Sequence, residues 1–289
     1  MELRVLRYFL AVAREENITK AAGLLHISQP SLSRQLMQME ETLGVKLFQR
    51  SKHRIILTDE GQLLRRRAQE IVALAEKAEK ELKQSEDTVS GEIAIGCGET
   101  KNMACLSQLM VSFRERYPEV TFEIFTAIAD DVKEQIENGV LDFGLMLEPV
   151  EISKYHFIRL PLREKWCVLM RRDSPLAEKE RITPADLAGV PLMIAKRKSV
   201  RNELENWFGE YYEKLNIVVT RNLSYNNCCI MVENHVGAAL VLAFENTYEN
   251  LCLRPLFPEM ETRSVLVWKK NQVLSPAVTK FVEWAKNAV

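Results

Sequence analysis

Ile18 to Gly44 reads ITKAAGLLHISQPSLSRQLMQMEETLG, and this stretch encodes two short helices joined by a tight turn. Thr19 is placed to cap the first, whose small Ala21 and Ala22 let a neighbouring helix approach closely beside Leu24 and Leu25. His26 and Ile27 make the turn. Ser28 is a favoured N-cap, and Pro30 falls in the first turn of the second helix, where its missing N–H costs nothing. Gly44 predicts the stop after Leu43.

At about 100° per residue, Leu32, Leu36, Met39 and Leu43 share one face of the second helix and are expected in a core. Pro30, Arg34 and Gln38 fall opposite, flanked by Ser31 and Ser33, with Gln29 at the N-terminal tip. Such a face is either the solvated side of an ordinary bundle helix or a reader of the DNA major groove. Ser, Gln and Arg donate to phosphates, and Arg and Gln can bond two atoms of one base edge. The next stretch favours the second reading. From Thr42 to Thr58 there is no acid, while Lys46, Arg50, Lys52 and Arg54 lie within it, as a polyanion-binding segment requires.

Ala22, Leu25, the run Ser28-Gln29-Pro30-Ser31-Leu32-Ser33, Gln35, Glu40, Leu43-Gly44, Leu47-Phe48, Arg50, Leu57-Thr58 and Gly61 form one spaced motif. It resembles the N-terminal winged helix-turn-helix of LysR-type transcriptional regulators. The resemblance implies double-stranded DNA as partner, with Ser28, Gln29, Pro30, Ser31, Ser33, Arg34, Gln38, Arg50, Lys52 and Arg54 at the interface. It also implies a self-associating protein, a homodimer or homotetramer.

Around the motif, Leu3, Leu6, Phe9, Leu10 and Ala13 form an apolar stripe that completes a three-helix core. VKLF and RIILT read as the two strands of a wing. Thr58 with Asp59 and Glu60 starts a helix expected to reach about Ser85. Along it Leu64, Ala68, Ile71, Ala75, Ala78 and Leu82 repeat in heptad steps. That seam packs either on its own domain or on another helix; in the family, this linker helix pairs with its counterpart in a second subunit. The expected divisions are 1–58 for the winged helix-turn-helix, 59–88 for the linker and 91–289 for the rest.

The chain from Gly91 changes texture. EIAIGC, TFEIFT and DFGLML read as strands separated by helices over Met103–Tyr117 and Asp130–Asn138, a pattern of parallel βαβ units. KWCVLMRR, PLMIA, NIVVT, GAALVL and SVLVWKK continue it, with helices near 200–215 and 227–234 and a terminal helix over 276–288. The fold class is α/β overall. By resemblance this part is a two-lobed, periplasmic-binding-protein-like (type II) α/β effector domain, one lobe comprising 91–162 and 267–289 and the other 163–266.

Ligands of open α/β sheets sit beyond the carboxyl ends of the strands, which selects the loops 98–102, 126–130, 146–148, 196–202 and 225–227. The resemblance places Thr100, Ile128, Met146, Val200 and Arg201 along a cleft, and Lys101, Asn102, Lys196 and Asn226 join them as candidate donors. Lys196, Arg197, Lys198 and Arg201 crowd one loop, which suits an anionic small-molecule effector such as a carboxylate. A solvated basic loop beside a neutral ligand, or none, is the other reading.

Composition sets outer bounds. The chain of 289 residues is 47% hydrophobic and 27% charged, with 39 Lys+Arg against 40 Asp+Glu. Such a balance argues against indiscriminate coating of nucleic acid. The start lacks a secretory pattern and no apolar run is long enough to span a bilayer, so a cytoplasmic protein without a membrane partner is expected. Six cysteines form no CxxC and read as reduced, buried residues, adjacent Cys228 and Cys229 included. The four histidines lack metal-ligand spacing, and Asp130-Asp131 is explained by the helix dipole. No nucleophile with its base is apparent, so neither enzyme activity, cofactor nor metal is expected. The alternative is a small-molecule binding protein or enzyme built on the two-lobed domain, carrying a passive helix-turn-helix.

Overall fold

The computed structural model describes residues 2–50, 55–82, 89–222, 225–244 and 248–288. Lys52 and Arg54 lie outside these residues, and Arg50 is described in its backbone alone. The chain divides into two compact units, Met1–Gln84 and Ser85–Val289.

The first unit contains α1 (Leu3–Glu15), α2 (Ile18–Leu24), α3 (Gln29–Leu43), the antiparallel strands β1 (Phe48–Arg50) and β2 (Ile55–Leu57), and α4 (Asp59–Leu82). Its core joins Phe9, Ala21, Leu32, Leu36, Leu47 and Ala68. The buried stripe of α1 is Val5, Leu6, Phe9, Val12 and Ala13, rotated from the expected one, while Leu3 and Leu10 stay half-buried. Asn17, not Thr19, caps α2: its side-chain oxygen accepts the Lys20 N–H at 3.0 Å, and Thr19 lies within the first turn. His26 reverses the chain in the left-handed region (φ 54°), which lets the Ile27 N–H return to the Ala22 carbonyl at 3.1 Å.

Helix α3 has the expected ends. Ser28 Oγ accepts the Ser31 N–H, and Gly44 closes the helix at φ 70°. Leu32, Leu36 and Met39 are buried, but Leu43 is 40% exposed. The reason is that Glu40 takes the buried place in the last turns, pointing under the wing, so Leu43 lies past the packed face.

The apolar positions of α4 separate into two faces instead of one seam. Leu64, Ala68 and Val72 pack into the unit's own core, whereas Leu63, Ile71 and Leu74 are exposed. Thr58 caps this helix through the Gly61 N–H (2.9 Å) and donates its hydroxyl to the Lys46 carbonyl (2.7 Å). A Cβ on Gly61 would sit 2.1 Å from the Leu47 carbonyl oxygen. Gly61→Ala is therefore expected to force α4 off the wing and destabilise the first unit by about 3 kcal/mol; an unchanged denaturation midpoint would rule out this close approach.

The second unit contains β3 (Gly91–Cys97), α5 (Met103–Arg116), β4 (Val120–Thr126), α6 (Ala129–Glu137), β5 (Phe143–Leu147), β6 (Tyr155–Arg171), β7 (Pro191–Ala195), α7 (Lys198–Phe208), β8 (Asn216–Arg221), α8 (Tyr225–Glu233), β9 (Ala238–Leu242), β10 (Leu251–Pro255), β11 (Glu261–Lys269) and α9 (Pro276–Ala288). Strand order is β4-β3-β5-β11-β6-β9-β7-β8, with β10 also on β6. The expected parallel units are present: β3 runs parallel to β4 and β5, and β7 to β8 and β9.

Strand β6 begins ten residues before the expected Lys165 and belongs to both halves of the sheet. From Tyr155 to Lys165 it pairs with β11, from Trp166 to Leu169 with β9, and from Cys167 to Arg171 with β10. Each half has helices and buried clusters on both faces, α5 and α9 opposite α6 in one and α7 opposite α8 in the other. The expected helix over 200–215 is divided, because Gly209 (φ 53°) ends α7 and a 3-10 stretch, Gly209–Lys214, follows.

Candidate functional site

The first candidate is the outer face of α3. Gln29, Pro30, Ser31, Arg34 and Gln38 are exposed, and Ser33 is half-buried, accepting from Gln29 Nε2 at 2.8 Å. Exposed Ser28 is occupied as the cap. Arg34 has no hydrogen-bond or ion-pair partner among the described residues, so its five donors face solvent. The face thus presents a cation and neutral donors with no acid before Glu40.

Glu40 fixes the wing beside that face. Only 8% exposed, its carboxylate accepts the N–H groups of Leu47 (2.8 Å) and Phe48 (3.2 Å) and pairs with Lys46 Nζ at 2.7 Å. Burial alone would raise its pKa, but hydrogen bonds from Lys46, Leu47 and Phe48 outweigh it and hold the carboxyl below the ordinary value. Lys46 is thereby committed to Glu40. A depressed folded pKa means stability that is present at neutral pH and lost as the pH falls through the lower folded value. Glu40→Gln is expected to cost the first unit about 1–3 kcal/mol at pH 7 and to flatten its acid denaturation profile. Parallel profiles for the two proteins would contradict this role.

The second candidate is a cleft in the second unit, where the carboxyl ends of strands from both half-sheets meet. The space between its walls, mouth included, is ≈ 950 Å³. Thr100, Ile128, Met146 and Val200 line it, as do Gly98, Glu99, Ala127, Ala129, Leu147, Glu148, Arg197 and Tyr225 from the loops selected by sequence. The remaining walls, including Trp166, Arg221, Val241, Leu242, Phe244 and Thr262, come from segments that sequence reasoning did not select. Arg221 had one available signal: it ends a strand parallel to β7, paired with Ala195.

Five sequence candidates lie off the wall. Lys101 and Lys196 are exposed. Arg201, one helical turn beyond Arg197, turns away to donate to the Tyr212 hydroxyl at 3.2 Å. Asn226 is exposed and accepts from the Tyr248 hydroxyl. Asn102 is wholly buried beneath the cleft, its Nδ2 donating to the Leu162 carbonyl at 2.9 Å and its Oδ1 accepting the Leu162 N–H at 3.2 Å.

Asn102 belongs to a polar knot where β6 passes between the half-sheets. At its centre Glu164, 1% exposed, accepts from the Thr100 hydroxyl, the Lys101 N–H (3.0 Å) and Ser264 Oγ (3.1 Å). Thr100 Oγ1 also lies 2.8 Å from Ser264 Oγ and accepts the Asn102 N–H at 3.1 Å. These bonds join the loop after β3 to β6 and β11.

Among the described residues no cluster of side chains could hold a metal ion, and no helix is long and apolar enough to cross a membrane. The described cysteines are free, and burial pushes Cys97, Cys167, Cys228 and Cys229 up in pKa, which keeps them as unreactive thiols.

Comparison with known proteins covers both units. Residues 3–62 match the bacterial regulatory helix-turn-helix protein, lysR family, and residues 86–289 match the LysR substrate binding domain. The Hca operon transcriptional activator HcaR of Escherichia coli (strain K12) is 32% identical, over 98% of this chain and 96% of that protein. The HTH-type transcriptional regulator BsdA of Bacillus subtilis (strain 168) is 34% identical over 72% of each chain. In fold, the chain is similar to CbnR, a LysR family transcriptional regulator, with a TM-score of 0.78, 21% identity and coverage of 100% of this chain and 99% of that one. Full-length CbnR in complex with its target DNA gives a TM-score of 0.77 at the same identity, with both chains covered completely. With its helix-turn-helix and its two-part sheet both matched along their lengths, this chain belongs to the LysR family of transcriptional regulators.

Proposed function

We propose that α3 reads the major groove with Gln29, Pro30, Ser31, Ser33, Arg34 and Gln38, while Ser28 sets the start of the helix and Arg50, Lys52 and Arg54 of the wing flank the phosphate backbone. The observation that carries this reading is the acid-free outer face of α3 with its uncommitted Arg34. Base readout by Arg and Gln supplies specificity, and the wing's cations supply affinity common to all sequences. The working divisions are 1–58 for DNA binding, 59–88 for the linker and 91–289 for the effector, acting in the cytoplasm where DNA is accessible.

Two copies would pair through the exposed face of α4, where Leu63, Ile71 and Leu74 lie outside the unit's own core. Paired heads call for a two-fold, palindromic operator. A small molecule in the cleft would favour one arrangement of the half-sheets and thereby change DNA engagement, a population shift without chemistry on the ligand. The chain would thus be a regulator and not an enzyme.

Selection of binding sites from random duplexes by the full-length protein tests the reading. A palindromic consensus whose affinity falls steeply with salt is expected; recovery of no enriched sequence would overturn it.

A further inference from the structure

We propose that Met37 is a further specificity residue, taking the C5-methyl group of a thymine one base pair along from the pair read by Arg34. The assignment rests on reading the outer face of α3 as the DNA-reading face. A recognition helix in the major groove can read base edges with side chains spaced i, i+3, i+4 and i+7. On α3 that stripe is Pro30, Ser33, Arg34 and Met37, which at about 100° per residue share an arc of about 100°. A step of four from Arg34 reaches Gln38 and a step of three reaches Met37, so the two flank Arg34 on one face.

Met37 is not a core residue. Leu32, Leu36 and Met39 pack inward, whereas Met37 is 51% exposed and, among the described residues, takes no part in the first unit's apolar cluster. Its neighbours on the stripe are polar: Ser33 is engaged with Gln29 at 2.8 Å, and Arg34 is exposed. Of the outer-face side chains from Gln29 to Gln38, only Pro30 and Met37 have no N–H or O–H group to offer a phosphate or a base edge.

Base edges in the major groove present one apolar feature, the thymine methyl. A methionine suits it, being unbranched, polarizable and free to turn about three bonds. Three residues of helix rise about 4.5 Å, close to the spacing of about 3.4 Å between stacked pairs, so Arg34 and Met37 meet adjacent pairs. The next side chain on the face is Glu41, an exposed acid. Phosphates repel a carboxylate brought close to them, so the stripe that enters the groove ends at Met37.

The test selects binding sites from random duplexes with the full-length protein and with its Met37→Ala, Met37→Leu and Arg34→Ala variants. Thymine is expected at a position next to the one whose preference Arg34→Ala relaxes. Met37→Ala should lose that thymine preference and keep the rest of the consensus, while Met37→Leu retains it. In the consensus duplex, replacing that thymine by uracil removes the methyl alone. The exchange should weaken binding by the unaltered protein about fourfold, the worth of one buried methyl-sized group, and leave Met37→Ala unaffected. Because Met37 is exposed, the thermal midpoints should coincide. An unchanged consensus with Met37→Ala, or equal uracil sensitivity in the two proteins, overturns the assignment. So does an equal loss on all sequences, which would place Met37 against the sugar–phosphate backbone. In each of these cases a position relaxed by Arg34→Ala keeps α3 as the reading helix. If neither Arg34→Ala nor Met37→Ala alters the consensus, the reading of α3 fails and the assignment falls with it.

Discussion

Replacing Arg34 with alanine is expected to reduce affinity for the selected operator by about 1–3 kcal/mol, roughly five- to 150-fold, and to relax the base preference at one position of each half-site. The size follows from geometry. Arg34 is exposed and has no intramolecular partner among the described residues, so nothing in the fold offsets or shares the loss. The same exposure means that the melting midpoint should not move, which separates recognition from stability. Gel-shift titration against operator and scrambled duplexes at two salt concentrations reads the ratio directly. Equal losses on both duplexes would make Arg34 a phosphate contact, and no loss on either would remove it from the interface.

The second large effect is expected inside the effector unit. Glu164→Ala removes the acceptor shared by the Thr100 hydroxyl, the Lys101 N–H and Ser264. Each buried donor left without a partner costs about 1–3 kcal/mol, and the donors can re-pair only in part through the Thr100–Ser264 contact. A net loss of about 3–5 kcal/mol is therefore anticipated, read as a shift of the second unit's denaturant midpoint. Glu164→Gln should cost less, since its amide keeps one acceptor oxygen. If the alanine protein unfolds at the parent midpoint, the knot contributes nothing to stability.

Local signals made much of this fold legible. Ser28, Pro30 and Gly44 define α3 because a cap, a proline and a left-handed glycine act within one turn of the helix. Alternating strands and helices from Gly91 gave the parallel units for the same reason. What could not be read was set by partners distant in sequence. Glu40 looks like a surface acid until Leu47 and Phe48 turn their N–H groups toward it. Leu64 and Ile71 look like one seam, but only Leu64 meets the core that α1 and the wing build against α4, while Ile71 is exposed. The cleft draws its walls from Gly98 through Thr262, so loop selection found the ends of the strands and missed Trp166 and Arg221. Arg197 and Arg201 are equivalent by composition. Only the capping position of the first at the start of α7 directs it to the cleft, while Tyr212 draws the second away.

The passage of β6 between the half-sheets has an architectural corollary. The segment between Trp166 and Met260 leaves and re-enters the remainder side by side: the Trp166 N–H bonds the Met260 carbonyl at 2.9 Å, and Lys165 faces Glu261 across the ladder. Topologically it is a cassette with adjacent ends. Exchanging it between relatives demands two neighbouring splice points and no new crossing of the sheet. Because Arg197, Arg221 and Tyr225 travel within it while Thr100, Ile128 and Met146 stay outside, an exchanged cassette would replace one wall of the cleft, keep the other, and leave the first unit intact.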